Sequence, residues 1–345
     1  MPSLRSRLSL ALIKKKLPEI VAADPISDLG DGLHVAIVGS GSPLPDEKRG
    51  NPCALVIAGR KVYVVDAGEG ASEMIGRMGI DPGLIEVLFL THFHSDHIGG
   101  LGSVNLQRWV AEGSSTPLRV FGPPGVEKVI GGYNAAYELD RSYRVGHHGE
   151  DFVDPKIGAM LPEEFPVPGE GESNVVFEDD GLVVTAFEVD HSPVAPVVGF
   201  RFDYKGRSAV ISADTVYSEN LVKAAANTDL LVHDALSEEL LLMVARAQTE
   251  AGNEKRGQIL ADVTDYHATA PQAADAAQKG GAKALAITHI VPPLPLKGLE
   301  EVFLQDAPER FDGPLWLAAD GDVYSLPVAG GLKRGNLIRR RRSGG

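Results

Sequence analysis

Residues 90–100 read LTHFHSDHIGG and set His92, His94, Asp96 and His97 within six positions, directly behind the apolar run VLFL at 87–90. Nitrogen and oxygen donors at this density have no structural use in a polar loop, whereas they suit a metal site at a strand end. Alternate residues of a chain leaving a strand point the same way, so His92 and His94 converge on one ion. Asp96 and His97, just past the turn, reach a second. The sequence supplies further ligand candidates downstream. Imidazoles and carboxylates without thiolate suit Zn(II), and also Mn(II) or Fe(II); zinc is the default expectation. Two such ions a few ångströms apart would bring a shared water toward ionisation at neutral pH and stabilise an oxyanion or a phosphoryl group in flight.

Strands and helices must alternate to hold these donors. Short runs rich in β-branched residues predict strands at 34–38, 56–58, 61–65, 87–90, 182–189, 198–202, 208–212, 230–233 and 284–288. Helices are expected at 70–78, 99–112, 124–137, 219–226, 237–250 and 269–279. Thr269 followed by Gln272 forms a capping-box pattern that fixes where His267 stands relative to the last of these. The loop GSGSPLP at 39–45 lacks a following Lys-Ser/Thr and opens no helix, so it reads as a rim loop and not a phosphate cradle. Segment 141–174, crowded with Gly, Pro and acids, reads as a long excursion over the active-site face. It carries His147 and His148, candidates for substrate contact. His34, at a strand start, reads as structural.

The chain has 345 residues, 43% hydrophobic and 23% charged, which suits one large globular domain over 24–330 between a basic N-terminal extension (1–23) and a basic, disordered tail (331–345). Eleven of the 33 Lys and Arg lie in those ends, leaving 22 against 46 acids in the body, a net charge of −24. Such a body repels polyanions and speaks against nucleic acid as the main partner. A lone Cys53 rules out an intramolecular disulfide and a thiolate-rich zinc site. Leu4, Leu8 and Leu12 share a helical face with Lys14, Lys15 and Lys16 near its end, a pattern for dimer packing or weak membrane contact. The apolar stretch 8–13 is too short to span a bilayer and has no signal-peptide pattern, so the expected location is the cytoplasm.

The motif and its neighbours resemble the metallo-β-lactamase superfamily, whose α/β (α+β) fold is a four-layer αββα sandwich with one or two metal ions between the sheets. KVYVVDAG at 61–68 is similar to the family's early strand, ending in Asp66, which braces the metal loop. The resemblance implies that His92, His94 and His191 hold one ion, that Asp96, His97 and His289 hold the second, and that Asp214 bridges them, with Asp96 also orienting the nucleophile. DYHAT around His267 resembles the His-Ser-Thr segment of the ribonuclease Z branch, where a non-ligand histidine assists the leaving group. LVHDA, with His233 and Asp234, resembles that branch's His-Glu-Ala-Thr segment, and its Asp in place of Glu puts the hold on His267 in question. That branch inserts a Gly/Pro-rich tRNA-binding arm between the single histidine and the bridging aspartate, whereas here only 22 residues separate His191 from Asp214. The loop from Gly39 to Asp46, with Asn51 and Pro52, is similar to arylsulfatase-type relatives of the branch. The branch also implies a homodimer.

These readings converge on a dinuclear metal-dependent hydrolase, a phosphodiesterase acting on a small or exposed phosphate ester. The alternatives are an arylsulfatase, a tRNA 3′-processing endonuclease, a lactonase or β-lactamase, and a non-catalytic metal-binding scaffold. The complete donor set argues against the last.

Overall fold

The computed structural model describes residues 3–338. Its first sheet contains β1 (Gly32–Gly39), β2 (Cys53–Ala58), β3 (Lys61–Val65), β4 (Ile85–Phe89), β5 (Arg119–Gly122) and β6 (Leu161–Glu164), and is extended past β1 by β14 (Asp322–Pro327) and β15 (Lys333–Asn336). The second contains β7 (Asn174–Asp179), β8 (Leu182–Glu188), β9 (Val198–Tyr204), β10 (Arg207–Ile211), β11 (Leu230–Leu236), β12 (Leu285–Val291) and β13 (Leu315–Leu317), in strict sequential order. Strands β3 to β6 run parallel, as do β10 to β13, while the remaining pairings are antiparallel.

The helices are α1 (Leu4–Val21), α2 (Ala71–Met78), α3 (Ser95–Ile98), α4 (Leu101–Trp109), α5 (Val126–Ala136), α6 (Glu138–His148), α7 (Glu219–Ala224), α8 (Glu238–Glu250), α9 (Glu254–Asp262), α10 (Ala270–Gly280), α11 (Leu299–Leu304) and α12 (Ala307–Arg310). Side-chain alternation sorts each strand between two apolar layers. On β1, Leu33, Val35 and Ile37 point toward the second sheet, and Ala36 and Val38 toward α2, α4 and α5. On the other side, Val210, Leu231 and Leu285 meet α7, α10 and α11. The result is the expected αββα sandwich.

Two segments differ from the sequence expectation. The excursion 141–174 is largely ordered: α6 fills its start, β6 joins the first sheet, and Val153 and Ile157 pack on Trp109. Its glycines obscure a helix that Asp140 and Arg144 support by an ion pair one turn apart, at 2.7 Å. The basic tail is not disordered from residue 331, because β15 pairs with β14 and Arg334 Nη2 donates to Asp322 at 2.6 Å. The arginine run 339–342 lies outside the described residues. The N-terminal extension is a helix capped by Ser3 that buries none of its residues. No described helix is long and apolar enough to cross a membrane.

Phe89 ends β4 three residues before His92 and is fully buried, with ring centroids 5.4–5.9 Å from Phe121, Phe177, Phe200 and Phe202. Because this cluster ties both sheets together below the metal loop, Phe89→Ala is expected to cost about 3–5 kcal/mol. Urea unfolding measures this cost, and an unchanged midpoint contradicts the role given to the ring.

Candidate metal centre

Most of the sequence-predicted donors stand near the C-terminal edge of a parallel strand, where an α/β sheet opens toward a ligand, whereas His191 lies in the connection between the antiparallel strands β8 and β9. Asp66 follows β3, the His92–His97 loop follows β4, Asp214 follows β10, Asp234 lies in β11 and His289 in β12. The backbone is bent hard there. Asp66, Ala213 and His289 take φ values of 57°, 65° and 46°, in the left-handed region that costs a non-glycine residue roughly 1–3 kcal/mol when held. The register between β11 and β12 shifts from the pair Asp234–Thr288 to the pair Ala235–Ile290, leaving His289 as the extra residue of a bulge. A bulge re-aims one side chain without ending the strand, and here it turns the imidazole inward. Gly68 allows the chain after Asp66 to lie against the metal loop, since a Cβ there would collide with the Asp96 carbonyl and with Asn51.

Two donor groups result. The ligand atoms of His92, His94, His191 and Asp214 lie within 4.8 Å of one another, and so do those of Asp96, His97 and His289. Asp214 Oδ2 joins the groups, 3.2 Å from the Nε2 atoms of His97 and His289 and 3.9 Å from those of His92 and His191. Four buried atoms aimed into this centre, Asp96 Oδ2, His97 Nε2, His191 Nε2 and His289 Nε2, have no hydrogen-bond partner. Each such orphan costs about 1–3 kcal/mol, and a cation between them supplies the missing partner, so the donor set fits two divalent ions.

The outer partners fix which nitrogen faces inward. Asp66 Oδ2 accepts from His97 Nδ1 and from Thr91 Oγ1, both at 2.8 Å, and Asp66 Oδ1 accepts from the Thr91 amide at 2.9 Å. His191 Nδ1 donates to the Tyr266 carbonyl at 2.7 Å. His267 Nδ1 donates to Asp234 Oδ2 at 2.9 Å, so the shorter carboxylate reaches it without difficulty. His267 also comes within 4.8 Å of the ligand atoms of Asp214 and His289. His233 is fully buried behind Asp234 and donates from Nδ1 to the Asp234 carbonyl at 2.8 Å.

Other candidates fall elsewhere. His147 and His148 are exposed at the end of α6, where they touch each other and no donor of the centre. His34 is buried against Ser325 Oγ at 2.7 Å, as a structural residue should be. The glycine loop is indeed at the rim, with Ser40 accepting from the Ile290 amide. Its anchor escaped the sequence reading: Asp320 accepts from Ser40 and Gly50, and Arg49 donates to Ser40 Oγ and to the Ala318 carbonyl. Tyr266 was also missed. Only its place before His267 marked it, because the contact with His191 spans 75 residues.

The chain belongs to the metallo-beta-lactamase superfamily, whose family model matches residues 47–253. Fold and donor cluster together define a metal-dependent hydrolase. Within that class it is 34% identical to the Ribonuclease Z of Mycobacterium avium (strain 104) over 290 residues, covering 84% of this chain and 96% of the relative. The Ribonuclease Z of Mycolicibacterium gilvum (strain PYR-GCK) is likewise 34% identical, with 84% and 94% covered. Among solved structures, human tRNase Z, short form, superposes with a TM-score of 0.61 at 23% identity, covering 85% of this chain and 99% of that one. The metallo-beta-lactamase fold protein YhfI from Bacillus subtilis gives 0.60 at 17% identity, covering 88% and 100%. These two structures share the fold.

Electrostatics couples metal uptake to protons. Burial pushes the Asp214 carboxyl up, but His289 and His97 overcome it and hold its pKa well below the carboxylate range. Burial lowers His289 in turn, yet the Asp214 charge raises it to about 10, and His97 is raised well above its usual value by Asp214 and Asp66 against the same penalty. The His289–Asp214 pairing therefore stabilises the metal-free fold fully below pH ~6.5, and the contribution is lost as pH rises through about 10. A cation must displace these protons. Metal affinity is accordingly expected to tighten between pH 6 and 8 by about tenfold per pH unit for each proton displaced, with proton release seen calorimetrically in buffers of different ionisation enthalpy. Affinity flat across that range contradicts the assignment.

Proposed function

We propose that the protein is a phosphodiesterase that works with two divalent cations, zinc first among them, on a small or exposed phosphate diester. His92, His94 and His191 would hold one ion and Asp96, His97 and His289 the other, with Asp214 within reach of both groups. The observation that carries the reading is His267: its ring lies 5.0 Å from His191 and 5.1 Å from His289, and Asp234 takes its Nδ1 at 2.9 Å, which leaves Nε2 as the nitrogen for proton transfer. The ions, when bound, activate water at neutral pH and draw charge from the phosphoryl oxygens.

The chain's own side chains do the rest. Asp96, buried among the donors, orients the attacking water. His267 as imidazolium gives its Nε2 proton to the departing oxygen and remains a neutral ring with Nδ1–H on Asp234. Asp234 stabilises the cation before transfer, and His233 holds Asp234 from behind. Asp66 orients His97.

The name of the mycobacterial relatives, Ribonuclease Z, supports a second reading, an RNA such as a tRNA 3′ end. Two features of this chain favour the small diester instead. The path from His191 to Asp214 holds only β9, β10 and their short connections, with no arm, and the body's negative charge opposes a polyanion.

His267→Ala is expected to slow diesters with poor leaving groups by about 10²–10⁴-fold, to slow nitrophenolate release far less and to leave the metal content intact. Equal losses across leaving groups contradict its role. Bis(p-nitrophenyl) phosphate, p-nitrophenyl sulfate and a precursor tRNA, compared on one metal-quantified preparation before and after chelation, separate the substrates. Chelator-sensitive cleavage of the small diester is expected to exceed both others. Preference for the sulfate moves the assignment to an arylsulfatase, and salt-sensitive preference for the tRNA moves it to RNA processing.

A further inference from the structure

Ring contacts run around the centre through His94, His191, Tyr266, His267 and His289, and Tyr266 is the one member of this series that is not a histidine. Its ring centroid lies 4.6 Å from His191 and 4.9 Å from His267. The structural task at this position belongs to the backbone, since the carbonyl of Tyr266 accepts from His191 Nδ1. The side chain is left half-buried, and its hydroxyl has no hydrogen-bond partner among the described residues. A partly wet aromatic face beside reacting groups is suited to stacking, which is worth roughly 1–3 kcal/mol per base in nucleic-acid sites.

We propose that Tyr266 seats a planar, uncharged group on the leaving side of the substrate, a nucleobase or an aryl ring. The side follows from His267, the proton donor to the departing oxygen, which adjoins Tyr266 in sequence and in space; the inference thus rests on the phosphodiesterase reading. The ring stands among aromatic faces, with His191 at 4.6 Å and His267 at 4.9 Å, and the occupant such a face suits is a flat, uncharged ring.

Binding tests the seat without turnover. In calorimetry on the full, metal-loaded chain, adenosine 5′-monophosphate presents a phosphoryl group with a base on its leaving side, and ribose 5-phosphate presents the same group without the base. Wild type is expected to favour the nucleotide by about tenfold. Tyr266→Phe keeps that preference. Tyr266→Leu abolishes it, while affinity for ribose 5-phosphate and metal content stay unchanged. Equal affinity of wild type for both ligands overturns the proposal, as does a preference that survives in Tyr266→Leu or a loss of both ligands together. A chain that shows the preference yet cleaves no diester refutes the phosphodiesterase reading and leaves the seat standing; diester cleavage without the preference refutes the seat alone.

Discussion

Asp214 faces four imidazoles, with its Oδ2 between 3.2 and 3.9 Å from the Nε2 atoms of His92, His97, His191 and His289. All five side chains are buried. Packing so many polar groups into one place is unfavourable without a compensating charge, since buried atoms without partners lose their hydration and receive nothing in return. A pair of cations reverses that balance. Without metal, the charge of the same carboxylate is balanced by protons on His97 and His289, so protons and ions compete for one set of sites.

Much of the fold can be understood as the means of holding that carboxylate and its partners in place. Both sheets bring parallel strand ends to the same rim, and the Phe89 cluster clamps the sheets beneath it. Three backbone distortions, at Asp66, Ala213 and His289, then aim side chains that straight strands would point elsewhere. Strain of this kind persists only where surrounding packing over-determines the chain, and the strands behind the centre are buried throughout. Around the donor groups, the carboxylates of Asp66 and Asp234 and the carbonyl of Tyr266 accept from the Nδ1 atoms of His97, His267 and His191 and fix the orientation of the three rings.

The sequence made the donors legible because their spacing carries the chemistry directly: His92 to His97 is a local pattern, and His191, Asp214 and His289 each terminate a recognisable strand. The capping box at Thr269 and Gln272 was equally local, and it forms. Long-range and cryptic features were not legible. The anchor of the glycine loop joins residues 269 and 270 positions apart, and nothing near Asp320 announces it. The bulge at His289 depends on register with β11, which one strand's sequence does not encode. Helix α6 was hidden by glycines and by a charge-rich composition that also suits loops, and β15 by a basic run whose partner is a carboxylate on the neighbouring strand.

The central claim is that Asp214 is shared by two bound ions. Native mass spectrometry and elemental analysis of wild type and Asp214→Ala, both loaded with the same divalent metal, test it most directly. Two ions per wild-type chain, with occupancy falling sharply in the folded Asp214→Ala variant, is the predicted result. One ion or none in wild type, or undiminished occupancy by two ions in the variant, would contradict the account.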